Sequence, residues 1–134
     1  MSGAGNHPNS LSFLSELLLG GTERAARAAT TLSDHDWGEL CALAQSHHVV
    51  MRSLPRLQQL MVAEGNAKWA ELAADAVEKE RARIRHAMSF LAMISCALEQ
   101  CGKVIVIKSL DHWPDFGSDL DLYINAPAAA VTAI

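Results

Sequence analysis

The sequence predicts an α+β protein, mainly helical, in which an N-terminal helical region precedes the opening strands of a smaller α/β core. Three observations predict it. From Leu11 to Leu98 apolar residues recur at spacings of three and four, the period of helices that bury one face. At Lys103 that period gives way to Val104-Ile105-Val106-Ile107, a β-branched run preceded by Gly102. The segment Asp119-Leu120-Asp121-Leu122-Tyr123-Ile124 then alternates polar and apolar residues, as a strand with one covered face does.

Residues 1–9, rich in Gly, Ser and Asn, read as a flexible tail. Asn9 or Ser10 is placed to cap a helix through Leu11, Leu14, Leu17 and Leu18, and Gly20-Gly21 is expected to stop it in the left-handed conformation. A short helix from Thr22 to about Thr30 follows. Ser33 ahead of Asp34-His35-Asp36 marks the start of a third helix, with a hydroxyl for the free backbone N–H groups and acids at the positive end of the helix dipole. That helix is expected to bury Trp37, Leu40, Cys41 and Leu43 or Ala44, and His47-His48 to cap its negative end. Pro55, which lacks an N–H, is tolerated in a first helical turn, so a fourth helix is expected from Ser53-Leu54-Pro55 to Ala63, ending at Gly65. Asn66 opens the longest helix, which reaches about Gln100 with Trp69, Leu72, Ala76, Ile84, Ala87, Leu91, Ile94 and Leu98 on its apolar face.

Residues 10–102 therefore form the helical region and residues 103–134 a partial α/β core. Within the core, Val104 to Ile107 is expected as a buried strand and Asp119 to Ile124 as a second. In that second strand Leu120, Leu122 and Ile124 face one side, while Asp119, Asp121 and Tyr123 face the other. Pro127 starts a last helix, Ala128 to Ile134. No internal repeat is present.

The 134 residues carry a net charge of −4, and half of them are hydrophobic, enough for one globular core but not for two full domains. No apolar run approaches the roughly 20 residues of a membrane-spanning helix, and Met1 to Ser10 lacks the order of a secretory signal, so a cytoplasmic protein without membrane contact is expected. Cys41, Cys96 and Cys101 match no zinc or redox spacing and read as buried, reduced thiols. The acidic balance argues against coating nucleic acid by charge, and a nucleic-acid partner is not indicated.

Chemistry is concentrated near the C-terminus. Side chains at i and i+2 of a strand project from one face roughly 6 to 7 Å apart, so Asp119 and Asp121 are expected to hold one hard cation, magnesium or manganese. Such an ion bridges phosphate oxygens and offsets charge on a transferred nucleotidyl group. Gly117 permits close backbone approach, and Ser118 offers a hydroxyl and an N–H suited to phosphate.

These residues resemble the DNA polymerase beta-like nucleotidyltransferase superfamily. Its signature is an apolar residue, Gly, and Gly or Ser at a strand end, then roughly nine to thirteen residues, then acid, apolar, acid, apolar. Ile107-Lys108-Ser109, the stretch Leu110 to Ser118, and Asp119-Leu120-Asp121-Leu122 align with it. From about Trp37 onward the chain is also similar to a poorly characterised bacterial nucleotidyltransferase family with an N-terminal helical region, in which Lys at the position of Lys108 is typical. The resemblance implies that Asp119 and Asp121 are catalytic metal ligands, and that Ser109 contacts the triphosphate of an NTP such as ATP. Gly117 and Ser118 would line the phosphate site and Lys108 would offset its charge, the acceptor hydroxyl being unknown. The superfamily commonly draws a third carboxylate from a later strand, so the resemblance implies a truncated domain, incomplete as a catalyst. Two strands and one helix do not cover both faces of an apolar sheet, so a homodimer through an exposed sheet edge is expected.

Competing readings attach to the same residues. Alternating acids also occur on solvated edge strands, and an inactive binding or assembly module with a vestigial motif is the alternative function. Asp-x-Asp serves glycosyltransferases too, but there a longer α/β region would precede it, whereas here the preceding hundred residues or so are helical. Asp111, His112 and Asp115 read as turn and solvation chemistry, with a proton-transfer or phosphate role for His112 as the minor reading. Trp113 is expected to pack over the strand edge. Lys79, Arg81, Arg83 and Arg85, interleaved with Glu78 and Glu80, read as a solvated face with local ion pairs, with a phosphate or nucleic-acid contact through Arg81 and Arg85, which share a helix face, as the minor reading.

Overall fold

Asn9 opens helix α1 (Ser10–Leu19) by accepting the Leu11 amide on its side-chain oxygen. The computed structural model describes residues 9–133; the expected tail over residues 1–8 lies outside the described residues, and the last helix, expected to run from Ala128 to Ile134, ends at Val131 with Thr132 as its C-cap. Helices α2 (Thr22–Thr30), α3 (Asp34–Ser46), α4 (Val50–Ala63) and α5 (Ala67–Leu98) follow, then strands β1 (Val104–Ile107) and β2 (Asp121–Ile124) and the short helix α6 (Ala128–Val131). The protein is thus α+β and mostly helical, with a two-stranded antiparallel sheet. Among the described residues no helix is long and apolar enough to cross a membrane. The chain divides into two units, Met1–Glu80 and Arg81–Ile134.

In the first unit α1 packs on α2, α3 and α4, and α4 also meets α2 and α3. Phe13, Leu14, Leu17, Leu40, Leu54, Leu57, Met61 and Val77 are all but removed from solvent and form the core, with Trp69 against Trp37 at a ring separation of 5.7 Å. Ser33 starts α3 with a full capping box: its hydroxyl accepts the Asp36 amide at 3.2 Å, and the Asp36 carboxylate accepts the Ser33 amide at 3.1 Å.

Two helices of this unit end in the same way. At the end of α3 the Val49 amide reaches back to the Ala44 carbonyl and the His48 amide to that of Gln45. At the end of α4 Asn66 and Gly65 repeat the pattern onto Met61 and Val62. This closure needs a left-handed residue, supplied by Gly65 (φ +69°) and by His48 (φ +52°). His48 therefore closes α3 through its backbone.

Other expectations need correction. Gly20 and Gly21 are extended, not left-handed (φ −84° and −71°). The end of α1 is closed instead from α4: Arg56 donates through Nη1 to the Leu17 carbonyl at 2.8 Å and through Nη2 to that of Gly20 at 2.7 Å. Helix α4 starts at Val50, five residues before Pro55. A proline removes one ladder bond, and the burial of Val50, Ser53, Leu54 and Leu57 outweighs it, while the Ser53 hydroxyl donates back to the Val49 carbonyl at 2.7 Å. The cysteines are not uniformly buried: Cys96 is exposed, and Cys41 and Cys101 are half-buried. Burial still pushes the Cys41 thiol up to about 11.

Among the described residues of the second unit Ile84 and Leu91 of α5, with Asp115 and Phe116, are the buried ones. The run Val104 to Ile107 is not buried on both faces. Val104 and Val106, paired with Ile124 and Leu122, are half-buried, while Ile105 and Ile107 are 45% and 40% exposed. A β-branched run shows strand preference without showing whether one or two layers cover it.

Removal of the Arg56 guanidinium in Arg56→Ala should lower the unfolding free energy by about 2 kcal/mol, because the α1 carbonyls lose donors from a charged group. Arg56→Lys should recover part of it in urea titrations. His48→Gly should raise stability by about 1 kcal/mol by relieving the left-handed residue, and His48→Val should lower it.

Candidate functional site

Strands β1 and β2 pair antiparallel with Ile107 opposite Asp121, so the end of β1 and the start of β2 lie side by side. The chain leaves β1 in a three-residue turn: the Ser109 amide donates to the Ile107 carbonyl at 2.7 Å, with Lys108 between them at φ +62°. A lysine here holds a conformation that glycine adopts without cost, a strain on the order of 1 to 2 kcal/mol. The Ser109 hydroxyl then accepts the Asp121 amide at 2.9 Å and donates to the Ile107 carbonyl at 3.3 Å. Ser109, two residues past the end of β1, thereby holds the first residue of β2 through its side chain.

That geometry corrects the reading of the two acids. Asp121 is the first residue of β2, but Asp119 and Leu120 precede it in the loop. Lys108 turns β1 away, so no backbone remains opposite them to extend the pairing. The alternation of a strand therefore does not place Asp119 and Asp121 on one face. Both acids are exposed, as are Lys108 and Ser118, while Ser109 and Gly117 are half-buried.

Between Ser109 and Asp119 the loop is a series of turns, the amides of Asp111, Trp113 and Asp115 donating to the carbonyls of Lys108, Leu110 and His112. Asp115 and Phe116 turn inward and are each 2% exposed, so Asp115 is not a solvated loop acid. Trp113 is 56% exposed, and His112 is exposed. From α5, Arg83 donates through Nη1 to the Gly117 carbonyl at 3.0 Å and through Nη2 to the Phe116 carbonyl. Sequence reasoning left Arg83 on a solvated face, since nothing in a run of alternating acids and bases distinguishes a guanidinium that binds a loop 34 residues away. At Gly117 an added Cβ would meet nothing within 4 Å, so the room there is open to a ligand and is not needed by the chain.

Among the described residues no three His, Cys, Asp or Glu side chains gather as a metal cage. Two carboxylates suit magnesium, which commonly keeps water and takes phosphate oxygens as its remaining ligands. The structure thus brings Lys108, Ser109 and Asp121 together at one corner of the ribbon, with Gly117, Ser118 and Asp119 on the loop that returns to it. Searches against protein-family models, curated proteins and solved structures find no match to this chain.

Lys108→Gly should raise the unfolding free energy by about 1 kcal/mol and Lys108→Val should lower it by a similar amount, measured by chemical denaturation. A loss of stability in Lys108→Gly would show that the turn does not strain the lysine.

Proposed function

We propose that this corner is the phosphate and metal site of a nucleotidyltransferase-type domain, which moves a nucleotidyl group from an NTP to an acceptor hydroxyl. The observation that carries the reading is Lys108. A cationic side chain held in a glycine-like turn, at the strand end beside Asp121, is strain located where the chemistry would require a charge. Its ammonium offsets phosphate charge there. Asp119 and Asp121 would hold magnesium or manganese, which when bound offsets the charge on the transferring group. The Ser109 hydroxyl keeps the Asp121 backbone in register, and its proton can turn to a phosphate oxygen by giving up the longer bond to Ile107. Gly117 leaves open space and Ser118 supplies an N–H and a hydroxyl.

One observation favours the second reading, an assembly module: Ile105, Ile107 and Tyr123 lie exposed on one face of the sheet. Titration calorimetry separates the two. Magnesium-dependent ATP binding is expected for the protein, lost in Asp119→Asn/Asp121→Asn and weakened about tenfold in Lys108→Gly, a change of about 1.4 kcal/mol. Absence of metal-dependent binding in the unaltered protein would sink the transferase reading and leave the apolar face as the functional surface.

A further inference from the structure

We infer that Arg83 is a positioning residue that turns two successive backbone N–H groups, those of Gly117 and Ser118, outward as a cradle for a phosphate group. Peptide planarity fixes the directions. In a trans peptide the carbonyl and the following N–H point in opposite directions, and the single cis bond among the described residues is Trp113-Pro114. Arg83 binds the Phe116 carbonyl, so the Gly117 N–H points away from the guanidinium; it binds the Gly117 carbonyl, so the Ser118 N–H does too. Neither N–H donates to a backbone acceptor among the described residues.

Consecutive N–H groups presented together attract anions. The site is open as well as polar, since beyond Gly117 and its two chain neighbours no heavy atom lies within 4 Å of where a Gly117 side chain would begin. The planar fork of arginine suits this task because its two Nη groups reach adjacent carbonyls at a fixed spacing, which the point charge of lysine does not reproduce. Arg83 never touches the phosphate; it acts through the two peptide planes.

The role in nucleotidyl transfer rests on the reading proposed above, but the cradle is testable without it. Inorganic triphosphate, free of divalent metal, is titrated into the full chain and followed by amide proton and nitrogen NMR. The Gly117 and Ser118 amides are expected to move downfield and saturate. In Arg83→Gln the affinity should fall about tenfold, the loss expected when one or two bonds to a charged group are misdirected, and Arg83→Lys should lie between. The same spectra report whether each variant is folded; if Arg83→Gln is not, the Arg83→Lys comparison decides, weaker binding supporting the cradle. Unmoved Gly117 and Ser118 amides in the unaltered protein, or unaltered affinity in the folded Arg83 variants, would overturn it. Amide shifts without magnesium-dependent ATP binding would keep the cradle and remove the transferase, whereas ATP binding with those two amides unmoved would do the reverse.

Discussion

Arg83 spans two successive carbonyls and ties the loop between β1 and β2 to α5. A two-stranded ribbon fixes little beyond its own ladder. Without an external tether, the residues between β1 and β2 would be held only by their local turns. The guanidinium anchors the loop at Phe116 and Gly117, the buried side chain of Phe116 seats it, and the Ser109 hydroxyl returns it to the ladder at Asp121. The first unit uses the same chemistry at the end of α1, where Arg56 covers the carbonyls of Leu17 and Gly20. In both places a donor from a distant helix serves backbone acceptors that the local chain does not satisfy.

Residues with positive φ are of two kinds here. Gly65 and His48 are left-handed because reverse hydrogen bonds close α4 and α3, and each such residue is offset by two backbone bonds. Lys108 closes no helix. Its turn contributes one short bond, Ser109 to Ile107, and ends β1 two residues before Ser109, whose hydroxyl accepts the Asp121 amide. Glycine would make that turn with less strain, so the backbone alone gives no reason for a lysine at this position.

Much of the helical half was legible because its signals are local. Ser33 followed by Asp36 specifies a cap, the glycine at 65 a reversal, and the spacing around Leu14, Leu17, Leu40 and Leu57 a buried face. The misread points depend on partners distant in sequence. Gly20 did not need a left-handed turn because Arg56 arrives from α4. Val104 to Ile107 reads as a strand at any level of burial, so the exposure of Ile105 and Ile107 is invisible to periodicity. At the site, the strand end at Ile107-Lys108-Ser109 and the acids at 119 and 121 were visible as a pattern. Which acid belongs to the strand was not, because it follows from register, and register is decided by where Lys108 turns.

That register also ties the apolar face of the ribbon to its chemistry. Ile105 lies opposite Tyr123 and Ile107 opposite Asp121, so the exposed apolar residues share their face with the carboxylate at its corner. A chain laid over Ile105, Ile107 and Tyr123 gains by covering apolar surface, but it incurs a desolvation penalty wherever it reaches Asp121 without bringing a cation or a donor. Lys108, one residue beyond Ile107, is the nearest cation along the chain. Any cover of this face must therefore stop short of the corner or bring positive charge to it. The first arrangement leaves a site bounded by an apolar wall; the second makes occupation of the acids a condition of assembly. In either case Asp121 sets how far the apolar surface can be closed, and the two readings of the ribbon, as catalyst or as docking face, meet at one carboxylate.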